Sequence, residues 1–237
     1  MDTFLTGKNA VVTGGTRGIG RAIAEALAIA GAGVAICGRT QDKVDNAVRQ
    51  LTNKSKSKVV AKVADVRDST EVTSFFEYVD QELGQLDIVV NNAGVGIFKS
   101  AAELSVEEWQ KTLDTNLSGV FYCCKEALQR IRGRGGYIIN ISSLAGKNAF
   151  AGGAAYNASK FGLNGLSEAM MLDHRNENVK VSYILPGSVA TEFSSGSGGE
   201  QWKIAPEDVA EIVLMLLKTP ARTLISRVEV RPSKPLK

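Results

Sequence analysis

The sequence predicts a doubly wound α/β fold, in which helices cover both faces of a seven-stranded parallel sheet. Seven short apolar runs alternate with longer stretches of helical periodicity along the 237 residues. This alternation is typical of parallel strands joined by right-handed helical crossovers. No linker-like segment or short repeat interrupts it, so we expect one domain over residues 1–237.

The strand candidates are compact apolar runs, at residues 9–13, 34–37, 58–63, 86–90, 137–141, 179–185 and 223–230. The helix candidates have apolar residues at helical spacing, at residues 18–30, 41–51, 68–84, 105–133, 154–174 and 206–218. Asp68 with Glu71, and Ser105 with Glu108, have the spacing of a capping box and mark two helix starts. Pro206 suits the first turn of the last helix.

The composition excludes several classes of function. The formal net charge of +3 is too small to favour a nucleic-acid or membrane partner. One histidine, His174, leaves no cluster for a zinc ion, so no metal site is expected. The three cysteines lack disulfide spacing and indicate buried thiols in a reducing compartment. No apolar run approaches the ~20 residues that span a bilayer, and residues 1–8 lack a signal-peptide core, so we expect a soluble, cytoplasmic protein.

A glycine-rich turn at residues 13–20, Thr-Gly-Gly-Thr-Arg-Gly-Ile-Gly, joins the first strand to a helix. In a parallel sheet this turn lies where ligands bind, and its glycines allow the backbone to approach a pyrophosphate at the helix N-terminus. Arg21 and Ala22 stand where a nucleoside-triphosphatase loop requires Lys and Ser or Thr, so that class is excluded. The turn predicts dinucleotide binding, and a tight turn that binds nothing is the alternative.

The ends of the next strands favour NADP(H) over NAD(H). An acidic residue after the second strand would bind the ribose 2′-hydroxyl and repel a 2′-phosphate. Residues 38–40 are Gly-Arg-Thr instead, so Arg39 can bind a phosphate, and Arg17 could reach the same group. Asp65, after the third strand, could accept a hydrogen bond from an adenine amino group or cap a turn. Residues 91–94, Asn-Asn-Ala-Gly, close the fourth strand and leave room for a ligand.

Ser143, Tyr156 and Lys160 form the candidate catalytic set. Among the five tyrosines only Tyr156 has a lysine four residues later, which places phenol and ammonium on one helix face. The ammonium is expected to lower the phenol pKa from about 10, making Tyr156 a general acid or base near neutral pH. Ser143, after the fifth strand, could donate a hydrogen bond to the reacting oxygen. On spacing alone, an ordinary surface Tyr/Lys pair is the alternative.

Taken together, these motifs resemble the short-chain dehydrogenase/reductase family, of the compact type, over nearly the whole chain. Pro186-Gly187 followed by Thr191 adds a further match. The resemblance implies a Rossmann fold and hydride transfer between the nicotinamide of NADP(H) and a carbonyl or secondary alcohol carbon. It further implies that Tyr156 exchanges the proton and that Lys160 holds the nicotinamide ribose. Asn116, in the long helix, would kink that helix and position a water.

The resemblance also implies which residues contact the coenzyme and the substrate. The coenzyme set is Gly14, Thr16, Arg17, Gly18, Ile19, Gly20, Arg39, Asp65, Val66, Asn92, Ala93, Gly94, Tyr156, Lys160, Pro186, Gly187, Val189 and Thr191. The Ser- and Gly-rich segment 192–205 stands at the place of the family's substrate lid. Its apolar residues Phe193 and Trp202 join Ser143 and Tyr156 as candidate substrate contacts.

Several functions and substrates stay open at this point. Reduction of a ketone or aldehyde is the favoured hypothesis. A 3-oxoacyl-[acyl-carrier-protein] reductase of fatty-acid synthesis is an alternative, although residues 95–99 and the C-terminus differ from those relatives. A non-catalytic NADP(H)-binding sensor or scaffold is a second alternative. A serine hydrolase using Ser143 and His174 lacks the Gly-x-Ser-x-Gly turn. Apolar residues at 121–128 and 161–171 are compatible with the homotetramers or dimers common among relatives.

Overall fold

The computed structural model describes residues 3–192 and 200–235. The strands are β1 (Asn9–Thr13), β2 (Gly33–Gly38), β3 (Val59–Val63), β4 (Ile88–Asn91), β5 (Gly136–Ile141), β6 (Val179–Pro186) and β7 (Arg227–Val230). The helices are α1 (Gly18–Ile29), α2 (Gln41–Thr52), α3 (Ser69–Leu83), α4 (Val106–Leu113), α5 (Gly119–Ile131), α6 (Ala154–His174) and α7 (Pro206–Lys218). The predicted seven-stranded parallel sheet is confirmed, with the strand order β3-β2-β1-β4-β5-β6-β7.

The direction of strand addition reverses beside β1, which creates the crevice where such folds bind ligands. Val12 of β1 pairs with Ile36 of β2 on one side and with Val90 of β4 on the other. The glycine-rich turn after β1 and the Asn-Asn-Ala-Gly turn after β4 therefore leave the sheet side by side. Ligand-binding residues are expected at this edge.

The core consists of two apolar layers, one on each face of the sheet. Val12 lies in one layer with Ile23 of α1. The preceding residue of the strand, Val11, lies in the opposite layer with Phe76 of α3 and Leu163 of α6. This alternation follows from the two-residue period of a strand, and it confirms that helices cover both faces.

The long helix expected over residues 105–133 is interrupted. A π-helical turn, Asp114–Ser118, separates α4 from α5, and the Gly119 N–H donates to the Asp114 carbonyl. The fully buried Asn116 lies within this turn, and its amide binds the backbone of Val95 in the loop after β4. A tertiary contact therefore accompanies the distortion, and sequence periodicity carries no signal for such a contact.

Smaller departures affect the ends of elements. The last strand begins at Arg227 rather than at residue 223, because its pairing with β6 starts between Arg227 and Tyr183. The capping box of Ser105 and Glu108 is confirmed. Asp68 caps α3 as expected, but the Glu71 carboxylate accepts from the Asp65 N–H instead of completing a box.

The cysteines are free and buried, as expected, at positions 37, 123 and 124. Burial raises the pKa of the Cys37 thiol to about 12, so this thiol is protonated at neutral pH. Within the described ranges, every helix is too short or too polar to traverse a bilayer.

Candidate active site

A cleft of about 700 Å³ opens at the carboxyl ends of the central strands. It brings together most of the residues that the sequence predicted: Gly14, Thr16, Arg17, Gly18, Ile19, Arg39, Asp65, Val66, Asn92, Ala93, Gly94, Ser143, Tyr156, Lys160, Pro186, Gly187, Val189, Thr191 and Trp202. Gly20 and Asn116 stand behind this lining and support it. Phe193, expected at the substrate end, lies outside the described residues.

The turn after β1 is held tightly against the turn after β4. The Asn92 amide donates to the carbonyls of Thr13 and Gly14 at 3.0 and 3.3 Å. A Cβ at Gly20 would lie 2.2 Å from Nδ2 of Asn92, so only glycine fits there without displacing this amide. Gly14 has a φ of 65°, in the left-handed region that favours glycine. These glycines keep the backbone at the floor of the cleft.

The N-terminus of α1 opens into this floor. Arg17 occupies the N-cap position of α1, but its side chain makes no capping hydrogen bond. The first turn of the helix holds no acidic residue. The N–H groups of the first turn have no intrahelical acceptor, and the helix dipole favours an anion there. The donor set fits a pyrophosphate, as the sequence predicted.

Two arginines border the cleft beyond β1 and β2. Arg39 is exposed and has no hydrogen-bond or ion-pair partner among the residues that the structure describes. Arg17 forms an ion pair with Glu192, whose carboxylate also lines the cleft. Since residues 39–41, directly after β2, carry no carboxylate, these two guanidinium groups could hold a phosphate on the adenosine ribose.

Asp65 lines the same end of the cleft, but its carboxylate is engaged locally. Both oxygens lie 3.0 Å from Nε of Arg67, and Oδ1 also accepts from the Arg67 N–H. Hydrogen bonds from Arg67 lower the pKa of the Asp65 carboxyl, against a smaller opposing effect of burial. The structure therefore contains the turn-capping contact of Asp65, and the adenine contact stays a prediction.

Ser143, Tyr156 and Lys160 meet at the centre of the cleft. Helix α6 carries Tyr156 and Lys160 one turn apart, and Ser143 follows β5. The hydroxyls of Ser143 and Tyr156 share a hydrogen bond. Nζ of the buried Lys160 donates to the Ile141 carbonyl at 2.9 Å and lies 5.9 Å from the Tyr156 ring centre.

The electrostatics of this set differ from the sequence-based expectation. Burial raises the pKa of the Tyr156 phenol, and the hydrogen bond with Ser143 offsets only part of that effect. Burial also lowers the pKa of Lys160 to about 8, and its ammonium is bound to a carbonyl rather than to the phenol. The sequence-based expectation is that Lys160 lowers the pKa of the Tyr156 phenol. In the structure that pKa is raised instead. The phenol is protonated at neutral pH, which is the form that a proton donor requires.

Asn116 lies behind the lining of the cleft and is hydrogen-bonded to the residues around it. Its Nδ2 donates to the Val95 carbonyl at 2.9 Å and to Oγ of Ser159 at 3.1 Å, and its Oδ1 accepts from the Val95 N–H. Oγ of Ser159 in turn donates to the Tyr156 carbonyl at 2.8 Å. Asn116 therefore joins the loop after β4 to the first turn of α6, beside the phenol.

Among the cleft residues that the sequence analysis missed, two are aromatic. The rings of Phe98, after β4, and Phe150, after β5, lie with centres 5.4 and 6.5 Å from that of Tyr156. They are 50% and 45% exposed. A sequence shows no periodicity for an apolar residue in a loop. The pair could therefore be recognised only in the folded structure, where the two loops meet.

The other predicted residues are placed as follows. Trp202 lines the cleft, and its buried Nε1 has no hydrogen-bond partner among the described residues. His174 ends α6, and its Nδ1 lies 2.7 Å from Glu177, so it belongs to a helix end and not to the cleft. The described ranges contain no group of His, Cys, Asp or Glu side chains that could hold a metal ion.

Comparisons with known proteins agree with this geometry. Residues 8–201 match the family model described as short chain dehydrogenase. An uncharacterized oxidoreductase of Staphylococcus aureus (strain N315) is 35% identical over 232 residues, which is 97% of this chain and 99% of the relative.

Two solved structures share the fold over almost their full lengths. An alcohol dehydrogenase from the archaeon Thermococcus sibiricus, complexed with 5-hydroxy-NADP, has a TM-score of 0.90 at 31% identity and covers 97% of this chain and 99% of its own. A short chain dehydrogenase from Burkholderia cenocepacia J2315, in complex with NADP, has a TM-score of 0.88 at 29% identity, with coverages of 96% and 98%. The chain therefore belongs to the short-chain dehydrogenase/reductase family of oxidoreductases.

Proposed function

We propose that the protein is an NADPH-dependent carbonyl reductase that converts a ketone or aldehyde into an alcohol. One observation carries the proposal: the hydrogen-bonded hydroxyls of Ser143 and Tyr156 lie beside the buried Lys160 in the cleft that also holds the glycine-rich turn. A protonated phenol at that place can donate to a carbonyl oxygen.

The residues around the glycine turn would hold the coenzyme. The free N–H groups of α1 suit the pyrophosphate, and Arg39 and Arg17 suit the 2′-phosphate. Gly94 would flank the adenosine ribose, and Pro186, Val189 and Thr191 would line the nicotinamide. Two structurally similar proteins were solved with NADP-type coenzymes, which supports this choice.

The chain's own side chains would act on the substrate oxygen. When bound, NADPH supplies the hydride that the carbonyl carbon accepts. Tyr156 donates its proton to the carbonyl oxygen as the C=O double bond becomes a single bond, and the Ser143 hydroxyl holds that oxygen in place. The Lys160 ammonium would orient the nicotinamide ribose, and solvent would return a proton to the Tyr156 phenolate. Asn116 positions α6 through Ser159.

The proposal extends to a homo-oligomeric, cytoplasmic enzyme in which residues 1–237 act as one domain. Phe121 of α5 and Phe161 of α6 are each 47% exposed, and Leu172 of α6 is 54% exposed, which supports association through these helices. Three free cysteines support a reducing compartment.

A panel of ketones, aldehydes and secondary alcohols, assayed with NADPH and NADH in parallel, tests the proposal. We expect oxidation of NADPH with at least one carbonyl compound, and a lower kcat/KM with NADH. Binding of NADPH without turnover on any member of a broad panel would favour the sensor or scaffold alternative. Equal rates with both coenzymes would contradict the assigned role of Arg39.

A further inference from the structure

We propose that the carbonyl substrate carries an uncharged aromatic ring, and that Phe98 and Phe150 recognise it. This inference rests on the proposed reductase function and names the substrate class of the same cleft. It is carried by an aromatic cluster, defined as Phe98, Phe150 and Tyr156, which places two half-exposed rings beside the phenol that would donate the proton.

The three rings have the geometry of interacting aromatic groups. The centres of Phe98 and Tyr156 are 5.4 Å apart with the planes at 74°, so the contact is edge-to-face. The centres of Phe98 and Phe150 are 5.8 Å apart with the planes at 56°. These distances lie within the range in which aromatic rings attract each other through their quadrupoles.

The cluster is held in place by the backbone around it. Lys99 and Gly153 form a parallel bridge, which joins the loop after β4 to the start of α6. The Phe150 carbonyl accepts from Nδ2 of Asn157 at 3.0 Å and from the Gly153 N–H at 3.3 Å. A Cβ at Gly153 would lie 2.7 Å from the Phe150 ring, so glycine is what allows the ring to lie there. The rings are therefore positioned before a substrate arrives.

The exposure of the two rings indicates a ligand. Phe98 and Phe150 remain 50% and 45% exposed although both line a concave cleft of about 700 Å³. Binding sites for small molecules are usually concave and lined by apolar and aromatic side chains. A flat ring placed against Phe98 and Phe150 would complete the cluster while its attached carbonyl reaches the Tyr156 hydroxyl.

The polar surroundings favour an uncharged ring. The charged residues nearest to the two rings along the chain are neutralised by ion pairs: Lys99, next to Phe98, with Glu108 at 2.6 Å, and Lys147, near Phe150, with Glu229 at 2.7 Å. Leu144 and Val95 also line the cleft and add apolar surface. A saturated ring of equal size is at least as hydrophobic as a phenyl ring, so preference for phenyl isolates the aromatic contact from simple apolar burial.

Two ketones that differ only in the ring test the inference. In phenylacetone and cyclohexylacetone a methylene group separates the ring from the carbonyl, so the ring does not alter the carbonyl by conjugation. We expect kcat/KM with NADPH to favour phenylacetone by about tenfold, the size of one or two aromatic contacts. The variants Phe98→Leu and Phe150→Leu should each lower this ratio by about threefold or more.

The matched control is Met215→Leu, since Met215 of α7 has a similar exposed fraction of 43% but neither lines the cleft nor lies on the helices proposed to associate. Its ratio of the two ketones should equal that of the wild type. Binding provides a second readout that does not depend on turnover. Titration of the Tyr156→Phe variant, saturated with NADPH, with each ketone in a calorimeter should give the same order of Kd values.

The aromatic inference would be overturned if the wild type showed no preference for phenylacetone or preferred cyclohexylacetone. It would also be overturned if both phenylalanine variants left the kcat/KM ratio of the two ketones unchanged. In either case, turnover of the two ketones would still support a reductase. Failure to reduce any carbonyl compound contradicts the proposed function instead. In that case the calorimetric comparison still decides between the two rings.

Discussion

The guanidinium of Arg17 forms an ion pair with the carboxylate of Glu192, which joins the glycine-rich turn after β1 to the loop after β6. Both side chains are more than half exposed, so the pair itself contributes little to stability. Its importance lies in its position, because Arg17 is one of two guanidinium groups proposed to bind the 2′-phosphate. A carboxylate beside that guanidinium competes with the phosphate.

Removing the Glu192 charge should therefore tighten coenzyme binding. We expect Glu192→Gln to lower the Kd for NADPH about two- to fivefold, the range given by the free energies of exposed ion pairs. Fluorescence titration with NADPH measures it. Glu211→Gln, an exposed carboxylate of α7 outside the cleft, should leave the Kd unchanged. Weaker binding by Glu192→Gln would mean that Glu192 positions Arg17 rather than competing for it.

Loss of the Tyr156 hydroxyl should separate catalysis from coenzyme binding. Because the phenol is the proposed proton donor, Tyr156→Phe should lower kcat by a factor of about 10²–10⁴, the usual contribution of general acid catalysis. The Kd for NADPH should stay near the wild-type value. Stopped-flow oxidation of NADPH measures the rate and fluorescence titration measures the Kd, with Tyr78→Phe on α3 as the control for both. A rate close to that of the wild type would exclude Tyr156 as the proton donor.

A methyl group at Gly20 should disturb both stability and binding. The added Cβ would lie 2.2 Å from Nδ2 of Asn92 and 2.5 Å from the Gly14 carbonyl, so the two turns must separate. We expect Gly20→Ala to lower the free energy of unfolding by about 1–3 kcal/mol and to weaken NADPH binding. Gly165→Ala on α6, where a Cβ meets nothing within 4 Å, should stabilise the protein by about 0.5–1 kcal/mol. Urea titration of both variants measures their free energies of unfolding. Equal values would show that the turn containing Asn92 can move to accommodate the added methyl group at little cost.

The order of elements could be predicted because it depends on short-range patterns. The apolar run at Val11 and Val12, the glycines that follow it and the Tyr156–Lys160 spacing all act within a few residues. Parallel pairing then brings the strand ends to one edge whatever the loops contain. The meeting of Ser143 with Tyr156 follows from that topology.

What could not be predicted depends on contacts between distant segments. The family resemblance implied the helix break at Asn116, but no local propensity encodes the hydrogen bonds to Val95 and Ser159 that accompany it. The same is true of the contact between Phe98 and Phe150, which requires two loops to be joined by the bridge at Lys99. The direction of the pKa shift of Tyr156 likewise depends on burial, a property of the folded protein.

The buried lysine should leave its own signature in the pH dependence of stability. Burial lowers the pKa of Lys160 from 10.5 to about 8. Between these two values the unfolded chain holds a proton on this lysine that the folded protein does not, so folding becomes more favourable as the pH rises. Near pH 7 both states are protonated, and the folded protein bears the full penalty of a buried ammonium. The stabilisation of a neutral Lys160→Met variant over the wild type should therefore shrink by about 2 kcal/mol between pH 7 and pH 9.5.

Urea unfolding of both proteins at the two pH values, without added coenzyme, measures this difference and cancels the titration of groups that they share. The control is Lys43→Met, since Lys43 is exposed on α2, and its difference from the wild type should be the same at both pH values. If the difference in the free energy of unfolding between Lys160→Met and the wild type were the same at both pH values, the hydrogen bond to the Ile141 carbonyl would be keeping Lys160 protonated in the folded protein. In that case a permanently charged lysine would stand beside the phenol, and the lowering of the phenol pKa expected from the sequence would be restored.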